Sequence, residues 1–88
     1  MVTTDDLDAA HLHSFRNRPL LEKGGRCGCF FCLAEYDASA VTKWVDDGRT
    51  ALCPQCGIDS VLSEPYNDPT FLREMQREFF GRVMALRK

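Results

Sequence analysis

Cys29-Phe30-Phe31-Cys32 and Cys53-Pro54-Gln55-Cys56 decide how this chain folds. Each is a C-x2-C pair, and 20 residues separate the two. Two residues between cysteines let one tight turn aim both sulfurs at a single ion, and the long spacer lets the second turn come back to face the first. The pattern predicts one structural zinc ion held by Cys29, Cys32, Cys53 and Cys56. Cys56-Gly57 supplies the small residue that favours such a turn; Cys32-Leu33 does so less well.

Other chemistry competes for the same cysteines. Cys-Pro-Gln-Cys alone could be a redox pair, but no βαβ context precedes it and a second pair is present. An iron–sulfur centre uses the same four ligands. Cys27 is left over, as a small packed side chain, a reactive thiol beside Arg26, or a replacement for Cys29 in a looser C-x4-C turn. His11 and His13 lie two apart on an expected helix, so they do not share a face; one of them packs or caps near the knuckle.

Working outward, the chain of 88 residues makes one domain at most, and a core that small usually needs a metal or disulfides. Hydrophobic content of 44% excludes a fully disordered chain, and no apolar run approaches the ~20 residues of a membrane span. The acidic N-terminus, with Asp5 and Asp6, lacks the basic and apolar regions of a signal peptide. A cytoplasmic location, where thiols stay reduced, is therefore expected. A net charge of −2 argues against a bulk nucleic-acid binder. The charge comes in blocks: residues 16–26 carry Arg16, Arg18, Lys23 and Arg26 against Glu22, while residues 27–64 carry six carboxylates against Lys43 and Arg49. Such blocks suit a protein–protein surface at least as well as a nucleic-acid groove.

A small α+β, zinc-ribbon-like domain follows, with an N-terminal helical segment (1–26), a zinc-knuckle core (27–62) and a C-terminal helix (68–87). A first helix is expected over 5–16, capped by Thr4, with Leu7, Ala10, His11 and Ser14 on one face. Asn17-Arg18-Pro19 breaks it, and residues 20–23 add a short turn. Short strands are expected over 33–36, 49–52 and 58–62. A second helix is expected over Ala38–Asp46, with Val41, Trp44 and Val45 as its apolar face and Gly48 closing it. Asp68-Pro69 opens a third helix, where Leu72, Met75, Phe79, Val83 and Leu86 recur at helical spacing and Arg82, Arg87 and Lys88 suit its C-terminal end.

Cys27-Gly28-Cys29-Phe30-Phe31-Cys32, together with Trp44, Asp47-Gly48 and Thr50-Ala51-Leu52-Cys53-Pro54-Gln55-Cys56-Gly57-Ile58-Asp59-Ser60-Val61, resembles a family of short bacterial proteins that carry only cytoplasmic or hypothetical labels. His13-Ser14-Phe15, Asn17-Arg18 and the Phe71-Leu72…Met75…Phe79-Phe80 ending extend the resemblance over residues 11–80. The loop Ser63–Asn67 departs from it, being shorter and without a glycine. The resemblance implies a double zinc knuckle and roles for Cys27, His13, Asn17, Arg18, Asp59 and Ser60, and it brings no activity with it.

A four-cysteine zinc has no open position, and no nucleophile–base constellation is present, so no enzymatic activity is expected. The expected function is a non-enzymatic protein–protein binding module, an adaptor or regulator, of which an immunity or inhibitor protein would be one type. Its candidate surface comprises His13, Arg16, Asn17, Arg18, Lys23, Arg26, Phe30, Phe31 and Phe80. Phe79-Phe80 cannot both face one way on a helix, which suggests self-association through the third helix. Nucleic-acid binding through the four basic residues and Phe30/Phe31 is the alternative, and a thiol redox protein is third.

Overall fold

In the computed structural model, which describes residues 3–85 and the side chains of residues 3–81, the chain forms a small α+β domain. The order is α1 (Thr4–Leu12), α2 (Arg18–Glu22), β1 (Arg26–Cys29), β2 (Glu35–Asp37), β3 (Trp44–Val45), β4 (Thr50–Ala51), β5 (Val61–Ser63) and α3 (Pro69–Ala85). The expected contributions of Val83, Leu86, Arg82, Arg87 and Lys88 lie outside what is described.

Strand β1 is the centre of the fold. It pairs antiparallel with β2 on one side and β5 on the other, with Gly28 opposite both Glu35 and Leu62. Successive strand residues point to opposite faces. Cys27, Cys29, Tyr36 and Val61 therefore enter one core, with the β3–β4 hairpin and the second knuckle. Phe30 and Leu62 enter the other, against Leu7 and Ala10 of α1 and Leu72 and Met75 of α3. At Gly28 a Cβ would stand 2.6 Å from Leu72 Cδ1, so the bare backbone lets α3 lie directly on the sheet.

The third helix opens as its residues demand. Asp68 accepts the Phe71 amide on its side chain (3.1 Å) and Pro69 takes the first position. Phe79 and Phe80 do diverge, but both pack inward. Phe79 stacks on His11, centroids 4.3 Å apart, and Phe80 meets Phe31 edge-on at 4.8 Å. Neither presents the exposed ring that the sequence suggested.

The first helix is shorter than expected and starts one residue earlier. Thr3, rather than Thr4, caps it through a reciprocal pair with Asp6. It ends at Leu12, where the Ser14 hydroxyl donates to the His11 carbonyl (2.6 Å) and Arg16 turns to a positive φ of 48°.

The expected second helix does not form. A single 3-10 turn spans Ala38–Ala40, after which the chain extends and Trp44–Val45 pairs with Thr50–Ala51. Val41, Thr42, Trp44 and Val45 are β-formers. Asp46, Asp47 and Gly48 all take positive φ, a hairpin turn rather than a helix stop. The other strands fall near their expected places, shifted to Glu35–Asp37, Thr50–Ala51 and Val61–Ser63.

A buried side chain ties the two sheets together. Asn17, 1% exposed, donates to the Val61 carbonyl of β5 (2.9 Å) and accepts the Ala51 amide of β4 (3.1 Å). Arg18 follows on the same strap. Its amide donates to Arg49 O, its guanidinium donates to Gly48 O (2.8 Å), and that group lies 4.6 Å over the Trp44 ring. Asn17→Ala would leave an amide and a carbonyl buried without partners. Each such group costs about 1–3 kcal/mol. Denaturant titration of the metal-loaded protein should therefore register a loss of about 2–5 kcal/mol.

Candidate metal centre

Each knuckle is a turn fixed by the same backbone contacts. Leu33 N donates to Cys29 O and Gly57 N to Cys53 O, both at 2.9 Å. Cys29 N donates to Ala34 O and Cys53 N to Ile58 O, again at 2.9 Å. The residue after each second cysteine is left-handed: Gly57 at φ 77° and Leu33 at φ 65°. Glycine takes that conformation freely. Leu33 does so against its side chain, and is held there by packing on the α1–α3 core.

These turns bring Cys29, Cys32, Cys53 and Cys56 together, with all four sulfurs within 4.8 Å of one another. Across the knuckles, Cys29 Sγ stands 3.6 Å from Cys56 Sγ and Cys32 Sγ 3.7 Å from Cys53 Sγ. A disulfide would need about 2.05 Å. Four sulfurs each about 2.3 Å from one tetrahedral ion stand about 3.8 Å apart. The separations fit that geometry, so the four cysteines can hold a metal ion.

The surroundings also suit thiolates. Cys29 Sγ accepts the amides of Phe31 (3.3 Å) and Cys32 (3.4 Å), and Cys53 Sγ accepts the Gln55 amide (3.3 Å). The buried Ser60 hydroxyl lies 2.9 Å from Cys29 Sγ. Ser60 therefore serves the sulfur, and Asp59 beside it is exposed. The Tyr36 hydroxyl is buried without a hydrogen-bond partner, close enough to act on Cys53 as a dipole.

Thiols this close resist ionising together. Burial pushes Cys32 up to about 11, and pushes Cys56 higher still. At Cys53 burial acts the same way but is outweighed by the Tyr36 hydroxyl and the amides of Cys56 and Gln55, which lower it to about 7. A cation among the four sulfurs reverses this preference, because a coordinating thiol is deprotonated outright.

Cys27 stays out of the cluster. It is fully buried, its thiol faces the Tyr36 carbonyl at 3.5 Å, and burial pushes it up to about 11. His13 Nδ1 donates to the Ala9 carbonyl (2.9 Å) at the end of α1 and its ring lies 5.0 Å from Tyr66; His11 is half-buried among Phe15, Phe30 and Phe79. Neither joins the sulfur cluster.

The candidate surface loses several members. Asn17 is buried, and Phe30 is 2% exposed beneath α3. Phe31 is half-buried, and its carbonyl accepts Gln76 Nε2 of α3 at 2.7 Å. The Arg18 guanidinium also bonds Glu22 and Arg26 pairs with Asp37, while Arg16 and Lys23 are exposed. Leu12 (70% exposed) and Phe15 (47%) stand on the surface.

Residues that orient metal ligands typically change affinity by about 10–100-fold when removed. Ser60→Ala should weaken metal binding within that range, read by competition with a chelating indicator, while the fold of the metal-saturated protein is retained.

Among the described residues, no helix is long and apolar enough to cross a membrane. Comparison with family models, curated proteins and solved structures finds no match to this chain.

Proposed function

We propose that this chain is a non-enzymatic protein-binding module of the cytoplasm, built around one structural zinc ion. The observation that carries the proposal is the closed donor set: four cysteine sulfurs lie within 4.8 Å of one another, with both cross-knuckle contacts at tetrahedral separations. Four thiolates fill the coordination of zinc and leave no position for water or substrate. The ion then serves folding, and function passes to the surface. Zinc is preferred over iron because a single tetrahedral four-thiolate site is its common structural setting.

The rest of the molecule favours binding over catalysis. Two surface clefts among the described residues, 160 and 260 Å³, fall below the ~300 Å³ of ordinary small-molecule sites. Both histidines are engaged in packing or helix capping. Leu12 and Phe15 stand exposed beside Arg16, an apolar and basic epitope suited to a protein partner. The nucleic-acid alternative is weakened because Phe30 is buried and Arg18 is engaged with the hairpin and Trp44.

Anaerobically purified protein should contain one zinc per chain and one thiol, Cys27, that becomes reactive only on denaturation. Chelation or acidification should unfold it, because protons compete for the four thiolates: stability from the metal is present at neutral pH and is lost as pH falls. Circular dichroism with metal analysis on the same sample checks this. An iron chromophore, or a fold unchanged by chelation, would overturn the structural-zinc reading.

For the surface, the protein should show no salt-sensitive binding to DNA or RNA at low ionic strength. Proteins it captures should be lost by a Leu12→Ser/Phe15→Ser variant that still holds its metal. Retention of the same set by that variant, or nucleic-acid binding that fades steeply with salt, would count against the protein-binding reading.

A further inference from the structure

The four sulfurs of the metal centre are not equivalent. Cys29 and Cys53 are buried and Cys56 is half-buried, but Cys32 is exposed. Cys29 is further enclosed by the Ser60 hydroxyl and two amides. Attack by a thiolate on an oxidant requires both charge on sulfur and access to it. A metal-bound cysteine already has the charge, so access decides, and access singles out Cys32. A second observation supplies the next step: Cys53, on the opposite knuckle, places its sulfur 3.7 Å from that of Cys32.

We infer that Cys32 is a redox-sensitive modification site, at which a hydroperoxide opens the metal centre and Cys53 resolves the product as a disulfide between the two knuckles. This rests on the metal-site reading above. With hydrogen peroxide, the Cys32 thiolate attacks one oxygen and the O–O bond breaks. The sulfur is oxidised by two electrons to sulfenic acid, and the departing hydroxide takes a proton to leave as water. The Cys53 thiolate then attacks the Cys32 sulfur, the S–O bond breaks, and the second hydroxide also leaves as water after protonation. Two thiolates, one peroxide and two protons thus become one disulfide and two waters.

The product removes one thiolate from each knuckle, so half the donor set is lost and the site no longer holds its ion. The new bond joins the same two knuckles that the ion joined. Oxidation therefore exchanges a metal tie for a covalent one, and a thiol reductant reverses it. Cys27 takes no part, because its sulfur is buried against the Tyr36 carbonyl.

The test is titration of the full zinc-loaded chain with hydrogen peroxide. Metal release is followed with a chromogenic indicator and disulfides are mapped by mass spectrometry of digests. The expected result is one Cys32–Cys53 bridge per zinc released, Cys27 still a free thiol, and full metal rebinding after reduction. Cys27→Ser should release zinc at a rate within about twofold of wild type, since that thiol lies outside the pathway. A first bridge that excludes Cys32, a bridge that includes Cys27, oxidation of Cys32 with the zinc retained, or zinc retention in excess peroxide would each overturn the inference while leaving the metal site intact. A chain that binds no zinc before peroxide is added would overturn the metal reading itself, and this inference with it.

Discussion

The convergence of four sulfurs on one point is the constraint on which the rest of the structure depends. Cys29 ends β1, the central strand of the larger sheet, while Cys53 follows β4 of the hairpin and Cys56 leads toward β5. One site thus joins both sheets. The smaller sheet is slight, since β3 and β4 have two residues each. Two-stranded pieces of that size are marginal in water. A metal held among the sulfurs would give the short strands a fixed frame, and Tyr36, Val41 and Val61 pack around the cysteines.

The opposite face is organised by ordinary burial. Leu62, Leu72, Met75 and Phe30 pack where α3 crosses the sheet, and His11 and Phe79 close the side toward α1. The first knuckle is also linked to α3, by Leu33 in the apolar core and Gln76 on the Phe31 carbonyl. At the second knuckle, glycine at position 57 supplies the turn without side-chain support. The two halves of the centre thus reach the same geometry by different means, one by tertiary packing and one by local backbone freedom.

The clustering of the four cysteines and the third helix were legible in the sequence because their signals are local. A C-x2-C pair fixes its own turn, and Asp68-Pro69 carries its own cap. The second helix misled because Val41, Trp44 and Val45 fit a helical face as well as a strand; the partner strand that decides the matter lies five residues beyond Val45 and is itself two residues long. Strand β1 was hidden inside what reads as a knuckle, although Cys27 and Cys29 alternate around Gly28 as strand residues do. Ser60 and Asn17 were noticed, but their tasks depend on atoms 31 to 44 residues away and leave no mark on neighbouring sequence. Arg18 and Phe30 looked like surface residues because charge and aromaticity alone do not reveal what lies above them.

The buried amide of Asn17 also orders events in time. Its partners lie 34 and 44 residues downstream, past the whole first knuckle. On a growing chain the N-terminal segment therefore meets its first partners, Trp44 and Gly48 to Ala51, only after the first knuckle has been made, and Asn17 gains its second only with Val61. Closing such long loops is an entropic cost incurred before the contacts form. The first knuckle supplies only two of the four clustered sulfurs in the meantime. Folding of this domain is consequently a late event: closing of the four-cysteine cluster waits for the second knuckle, and full docking of the N-terminal strap waits for β5.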